Sequence, residues 1–298
     1  MVEALKEYVS LWVTINEPNT YVYLGYGGGG FPPGKDNLQL AFRVMEAMVR
    51  AHAAAYRAIH AIQPQARVGV ATYYRSLKAF RSWLPLDTGV TRLIQANFND
   101  QVAQALKDGH FWALARRVRV PEAAGTQDFL GINYYTRDQV AFSPLAAKTL
   151  FGRRFFREGA ELSDAGFIAN EPEGLFEALK WGLRFNVPLI VSENGIENAD
   201  DRVRPSYLLQ HIHQVWRAVN FNWPVKGYFH WTLVDNFEWE RGWTQRFGLW
   251  ELDETSQARR KRRSADLYTE ICRENGISSD VVAKYAPQVT GILFPGFS

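Results

Sequence analysis

Five short apolar runs, each followed by residues at helical spacing, constrain this 298-residue chain more than any other feature. The runs lie around residues 9–16, 66–74, 128–135, 187–193 and 225–232, and their Val, Ile, Phe and Tyr content marks them as strands. Between the first two, Leu38, Phe42, Met45, Val49, His52, Tyr56 and Ile59 fall on one helical face. "TRLIQANFNDQVAQALKDG", "EPEGLFEALKWGLRF", "PSYLLQHIHQVWRAVN" and "SADLYTEICREN" supply the remaining helices. Strand–helix repeated five times predicts an α/β fold with a parallel sheet and helices outside it. No repeat or low-complexity linker interrupts it, so residues 1–298 are read as a single domain.

Two of the strands end in a carboxylate. "LWVTINEP" runs from a buried strand into Asn16 and Glu17, where Pro18 stops it, and "IVSENG" does the same at Glu193. The carboxyl ends of parallel strands are where ligands and catalytic groups gather. Two carboxylates across a small cleft suit glycoside hydrolysis: one protonates the departing oxygen, and the other attacks the anomeric carbon or activates water. Their mutual repulsion would keep one protonated near neutral pH. Asn170-Glu171-Pro172 repeats the first tripeptide without a strand before it, so Glu171 reads as a charge near the start of a helix.

The composition narrows the choices further. The chain is 47% hydrophobic and carries ten tryptophans, enough for a large core and for indole faces on which sugars stack. A net charge of +3 argues against a nucleic-acid partner, and the one dense basic run, "RRKRR" at 259–263, reads as a solvated loop or helix face. "GYGGGGFPPGKD" lacks the residues of a phosphate cradle. Cys272 is the single cysteine, no apolar run is long enough to span a bilayer, and "MVEALKEYVS" has no signal-peptide character. These features fit a cytoplasmic protein away from membranes. His211, His213 and His230 have no Cys partner or HExxH context, so neither a metal site nor a cofactor is expected.

"TINEP", "GINYYT", "VSENG" and "WTLVDNFEWERGWTQRFGL", in this order, resemble glycoside hydrolase family 1, the β-glucosidase family, over essentially the whole chain. The resemblance implies a (β/α)8 TIM-barrel lineage and retaining hydrolysis of β-linked mono- or oligosaccharide glycosides through a covalent glycosyl-enzyme. It would make Glu17 the acid/base and Glu193 the nucleophile. Asn16 would hold the sugar 2-hydroxyl, Tyr135 would bond the nucleophile, and Asn133 would support the pocket. Trp231 would be the sugar platform, Glu238 and Trp239 would bind the outer hydroxyls, and Phe247 would line that end. The Glu238-Trp239 pair stands where members acting on 6-phosphosugars carry a Ser…Lys…Tyr arrangement, which implies an unphosphorylated substrate.

The family places its TINEP glutamate after the fourth strand, whereas here the strand before it starts around residue 9. The expectation is therefore a partial barrel of strands 4 to 8, without the first three βα units. With them go the family's N-terminal Gln, a His-Trp pair and an Arg beside the nucleophile. Five strands cannot close as eight do, so the two open edges would invite a homo-oligomer. An inactive barrel fragment with at most weak sugar binding is the alternative.

Overall fold

The computed structural model describes residues 1–296. Five parallel strands form one sheet: β1 (Leu11–Asn16), β2 (Arg67–Tyr73), β3 (Phe129–Asn133), β4 (Leu189–Glu193) and β5 (Val225–Tyr228). Their order across the sheet is their order along the chain, and each pairs with the next in parallel. Helices connect them. These are α1 (Leu38–Ile62) after β1, α2 (Pro85–Phe98) and α3 (Asp100–Asp108) after β2, α4 (Glu173–Gly182) after β3, and α5 (Arg204–Asn220) after β4. A last long helix, α6 (Arg263–Glu274), follows β5.

All five predicted strands are present, most of them a residue or two shorter than expected. The sheet is an open arc, in which β1 and β5 each have a single neighbour. Burial follows this topology. Every residue of β3 is buried, and so are Val68 to Thr72 of β2, as expected for strands covered on both faces. The edge strands β1 and β5 have no fully buried residue.

The core lies between the sheet and its helices. Met45 and Val49 of α1, Leu175 and Leu179 of α4, and Val70, Leu130, Ile132, Leu189 and Val191 of the strands pack together. Asn37 caps α1, its side chain accepting from the Leu40 amide at 3.0 Å. The stretch read as one helix over 91–109 is two, α2 beginning earlier at Pro85 and ending at Phe98. Asn99 at the break bonds both the amide and the carbonyl of Arg75, at 3.0 and 2.9 Å.

Loops after β2 and β3 form a smaller sheet of Ser76–Ala79, Arg137–Phe142 and Gly152–Phe155, which local sequence did not signal. The basic run also departs from expectation. Arg259 to Lys261 pair with Trp250–Leu252, whereas Arg262 turns inward and binds buried Asp235 through both oxygens at 2.9 and 3.0 Å. The pair is satisfied in place, which makes Arg262 structural rather than solvated.

Candidate active site

The carboxyl ends of β1 to β5 open into a hollow of about 690 Å³. Asn16, Glu17, Tyr135, Glu193, Trp231, Glu238, Trp239 and Phe247 all line it. Asn133 lies fully buried beneath. The structure thus gathers the whole set of residues singled out from the sequence.

Glu17 leaves β1 in a left-handed conformation, φ 46° and ψ 53°, at the entrance to the short helix Pro18–Val22. A non-glycine residue there carries local strain of about 1–3 kcal/mol, tolerated only where the surroundings hold it. Here the Glu17 amide donates to Ala71 O at 2.7 Å. Two residues on, fully buried Asn19 donates to the carbonyls of Tyr73 and Phe98 at 2.8 and 3.2 Å. The turn is pinned on both sides of the carboxylate.

A chain of hydrogen bonds joins the two carboxylates. Asn133 Nδ2 donates to Glu17 Oε1 at 3.0 Å and to Asn16 Oδ1 at 3.1 Å, and Asn16 Nδ2 donates to Glu193 Oε1 at 3.0 Å. The other oxygen of Glu193 accepts from the Tyr135 hydroxyl at 2.5 Å. Ser192 donates to Asn133 Oδ1 at 2.6 Å, which fixes the amide with its nitrogen towards the acids. This requires Gly131 opposite, because a Cβ there would stand 2.8 Å from Ser192 Oγ and 3.0 Å from the β2 backbone.

On the β5 side, Trp231 Nε1 and Asn236 Nδ2 both donate to Glu238 Oε1, at 3.2 and 2.9 Å. Gly195 permits the close pass of this loop, since a Cβ would come within 2.0 Å of Trp231 O. Trp239 is more than half exposed, and one face of its indole stacks on Phe31 from the Gly-rich loop, with ring centres 4.6 Å apart. Phe247 is buried and sets its ring edge-on to Tyr135.

Both acids hold their protons more tightly than free glutamates. Enclosure by protein pushes Glu17 up, against the opposing hydrogen bond from Asn133. Glu193 is pushed up to about 8, first by burial and then by the charge of Glu17. Tyr135 and Asn16 oppose this shift through hydrogen bonds, and none of the groups acting most on Glu193 is a cation.

Sequence reasoning missed Ser192, Tyr73, Arg75 and Phe31. Ser192 stands inside the quoted "VSENG", and Tyr73 and Arg75 occupy the end of β2, where the rule that selected Glu17 and Glu193 applies equally. Nothing local marks Phe31. The decoy Glu171 lies apart from both acids, buried in ion pairs with Arg157 at 2.9 Å and Arg137 at 3.6 Å. His211 stacks on Tyr207 inside the protein while His213 stacks on Trp216. No cluster of three potential metal ligands occurs among the described residues.

An open parallel α/β arc with paired carboxylates at the carboxyl ends of its strands defines a partial barrel of the glycoside-hydrolase type. The chain belongs to glycosyl hydrolase family 1, whose model matches residues 1–277. It is 33% identical over 285 residues to a beta-galactosidase of Saccharolobus solfataricus, covering 92% of this chain and 57% of that protein. Among solved structures it resembles a beta-glycosidase from Pyrococcus horikoshii, with a TM-score of 0.87 and 31% identity over 95% of this chain and 66% of the other. A Thermotoga maritima beta-glucosidase in complex with glucoimidazole superimposes with a TM-score of 0.85 at 26% identity, over 93% of this chain and 66% of that one. The chain therefore spans about three fifths to two thirds of the length of these relatives.

Proposed function

We propose that this chain is the catalytic portion of a retaining β-glycosidase acting on terminal, unphosphorylated β-D-glycosides. Residues 1–298 act as one unit. Glu17 serves as acid/base: its enclosure favours the protonated form, which gives its proton to the departing oxygen and then takes one from water. Glu193 attacks the anomeric carbon to form a glycosyl-enzyme, which water resolves. Asn16, in reach of Glu193, meets the sugar 2-hydroxyl. Trp231 offers its indole face, the Glu238 carboxylate accepts from the outer hydroxyls, and the Trp239 indole N–H donates to them. The carboxylate of Glu238 would repel a 6-phosphate.

The observation that carries this reading is the hydrogen-bonded path Glu17–Asn133–Asn16–Glu193, which ties two sequence-distant acids to one cleft. The test is hydrolysis of an aryl β-glucoside by the purified chain, with Glu193→Ala as control. Turnover that disappears in the control supports the assignment, and turnover that persists in it overturns the assignment.

One observation favours a second reading, that of a disarmed remnant. A nucleophile must be ionised, yet Glu193 keeps its proton up to about pH 8 with no cation close enough to count among its main influences. A folded chain silent at pH 7 and active above pH 8 would point to this cause, because ionisation of Glu193 rises as pH passes its raised pKa. Silence at every pH selects the remnant. We further propose that the open edges at β1 and β5 pair with a second copy.

A further inference from the structure

A second hollow, of about 410 Å³, continues from the first, and Arg75 and Phe156 line both. Its charged lining is three guanidiniums, Arg75, Arg153 and Arg154, against one carboxylate, Asp138. Asp138 is almost wholly buried and already committed, because Arg75 grips both of its oxygens at 2.6 and 2.8 Å. Arg154 reaches it only at 3.7 Å. Arg153 rests over the Phe155 ring, its centre 5.4 Å away, and forms no ion pair among the described residues. Two guanidiniums thus face the hollow with most of their donors uncommitted, beside a third of the same sign. Burial and the charge of Arg75 together push Arg154 below the ordinary guanidinium range.

The hollow lies at the leaving-group end. Arg75 follows β2, the neighbour of β1 and hence of Glu17, while the sugar-facing Trp231 and Glu238 follow β5 at the far side of Glu193. The group that delivers a proton to the departing oxygen sits on the leaving-group side. We infer that Arg153 and Arg154 form an anion-binding subsite that selects glycosides whose aglycone bears a carboxylate, sulfate or phosphate. Guanidiniums suit these planar or tetrahedral oxyanions because paired N–H donors match their oxygens. The inference rests on the proposed β-glycosidase reading and adds the aglycone class to it.

The test is calorimetric binding of two non-hydrolysable thioglycosides to the full chain, phenyl and 4-carboxyphenyl 1-thio-β-D-glucoside. The carboxylate should bind about tenfold tighter at low salt. That advantage should shrink as salt rises and vanish in Arg154→Gln or Arg153→Gln, with phenyl thioglucoside affinity unchanged. The exposed Arg153 gives a variant whose folding is safe if Arg154→Gln misfolds. A 4-sulfophenyl thioglucoside with the same advantage shows that the subsite reads charge, and preference for the carboxylate alone shows that it reads shape as well. Equal affinity for the charged and neutral glycosides overturns the subsite and leaves the catalytic assignment standing, since aryl glucoside hydrolysis reads that separately. Binding of neither overturns both.

Discussion

The two flanks of the cleft are built differently. Around β3 and β4, Asn133 is wholly buried, Ser192 and Asn16 hold its amide, and Tyr135 closes on Glu193, so every polar group in the path from one acid to the other has a partner. Beyond β5 the loop that carries Trp231 and Glu238 is far more exposed: Leu233 is 65% exposed, Phe237 60% and Trp239, at the rim of the cleft, 53%. The proposed function puts the chemistry on the first flank and the sugar contacts on the second. The contrast teaches that the two carboxylates are organised by this chain's own strands, whereas the wall beyond β5 is largely exposed among the described residues.

Activity gives the sharpest way to break that contrast. Glu193→Ala should lower aryl β-glucoside turnover by about 10³-fold or more, and Glu17→Ala by about 10²–10⁴-fold, least for the best leaving groups. Steady-state kinetics on aryl glucosides of graded leaving ability would check both. If neither variant loses rate, the well-built flank is not where catalysis happens.

Stability sharpens it next. Asn133→Ala strips partners from Glu17, Asn16 and Ser192 at once and should cost about 1–3 kcal/mol in urea unfolding. A matching truncation on the other flank, Phe237→Ala, should cost less than about 0.5 kcal/mol because the ring is already wet. Equal losses would erase the difference between the flanks.

Titration separates them a third way. With its folded pKa raised to about 8, Glu193 favours the folded state while protonated. That contribution is complete below the unfolded value near 4.5 and is lost as pH climbs through 8. Thermal unfolding followed from pH 5 to 9 should therefore show a decline that Glu193→Gln reduces, raising Tm at pH 9 by a few degrees. A variant that melts like its parent at every pH would refute the raised value. The smallest effect is expected at the open edge. Phe229→Ser, on a ring 53% exposed, should leave Tm nearly unchanged and reduce self-association in sedimentation velocity.

What the sequence disclosed divides along physical lines. The five strands and most helices follow from local periodicity, and strand ends were read too long where flanking residues such as Val187 or Tyr135 keep strand-like side chains outside the ladder. Glu17 and Glu193 were legible because each sits where an apolar run stops. Pairings set at long range were not legible. Ser76–Ala79 joins Arg137–Phe142 across some sixty intervening residues, Arg262 finds Asp235, and Phe31 finds Trp239. Each depends on a partner that local pattern does not name. The break at Asn99 belongs with these, since a side chain that continues a helix as well as Asn can was recruited by the backbone of Arg75.

The left-handed turn at Glu17 carries a consequence for anyone improving this protein. Glycine adopts that backbone freely, so Glu17→Gly would relieve local strain while deleting the carboxylate proposed as proton donor. A directed-evolution campaign scored on heat resistance alone would favour glycine at position 17 and, on the proposed function, collect sturdier chains without a proton donor. Selection here must be scored on turnover from its first round.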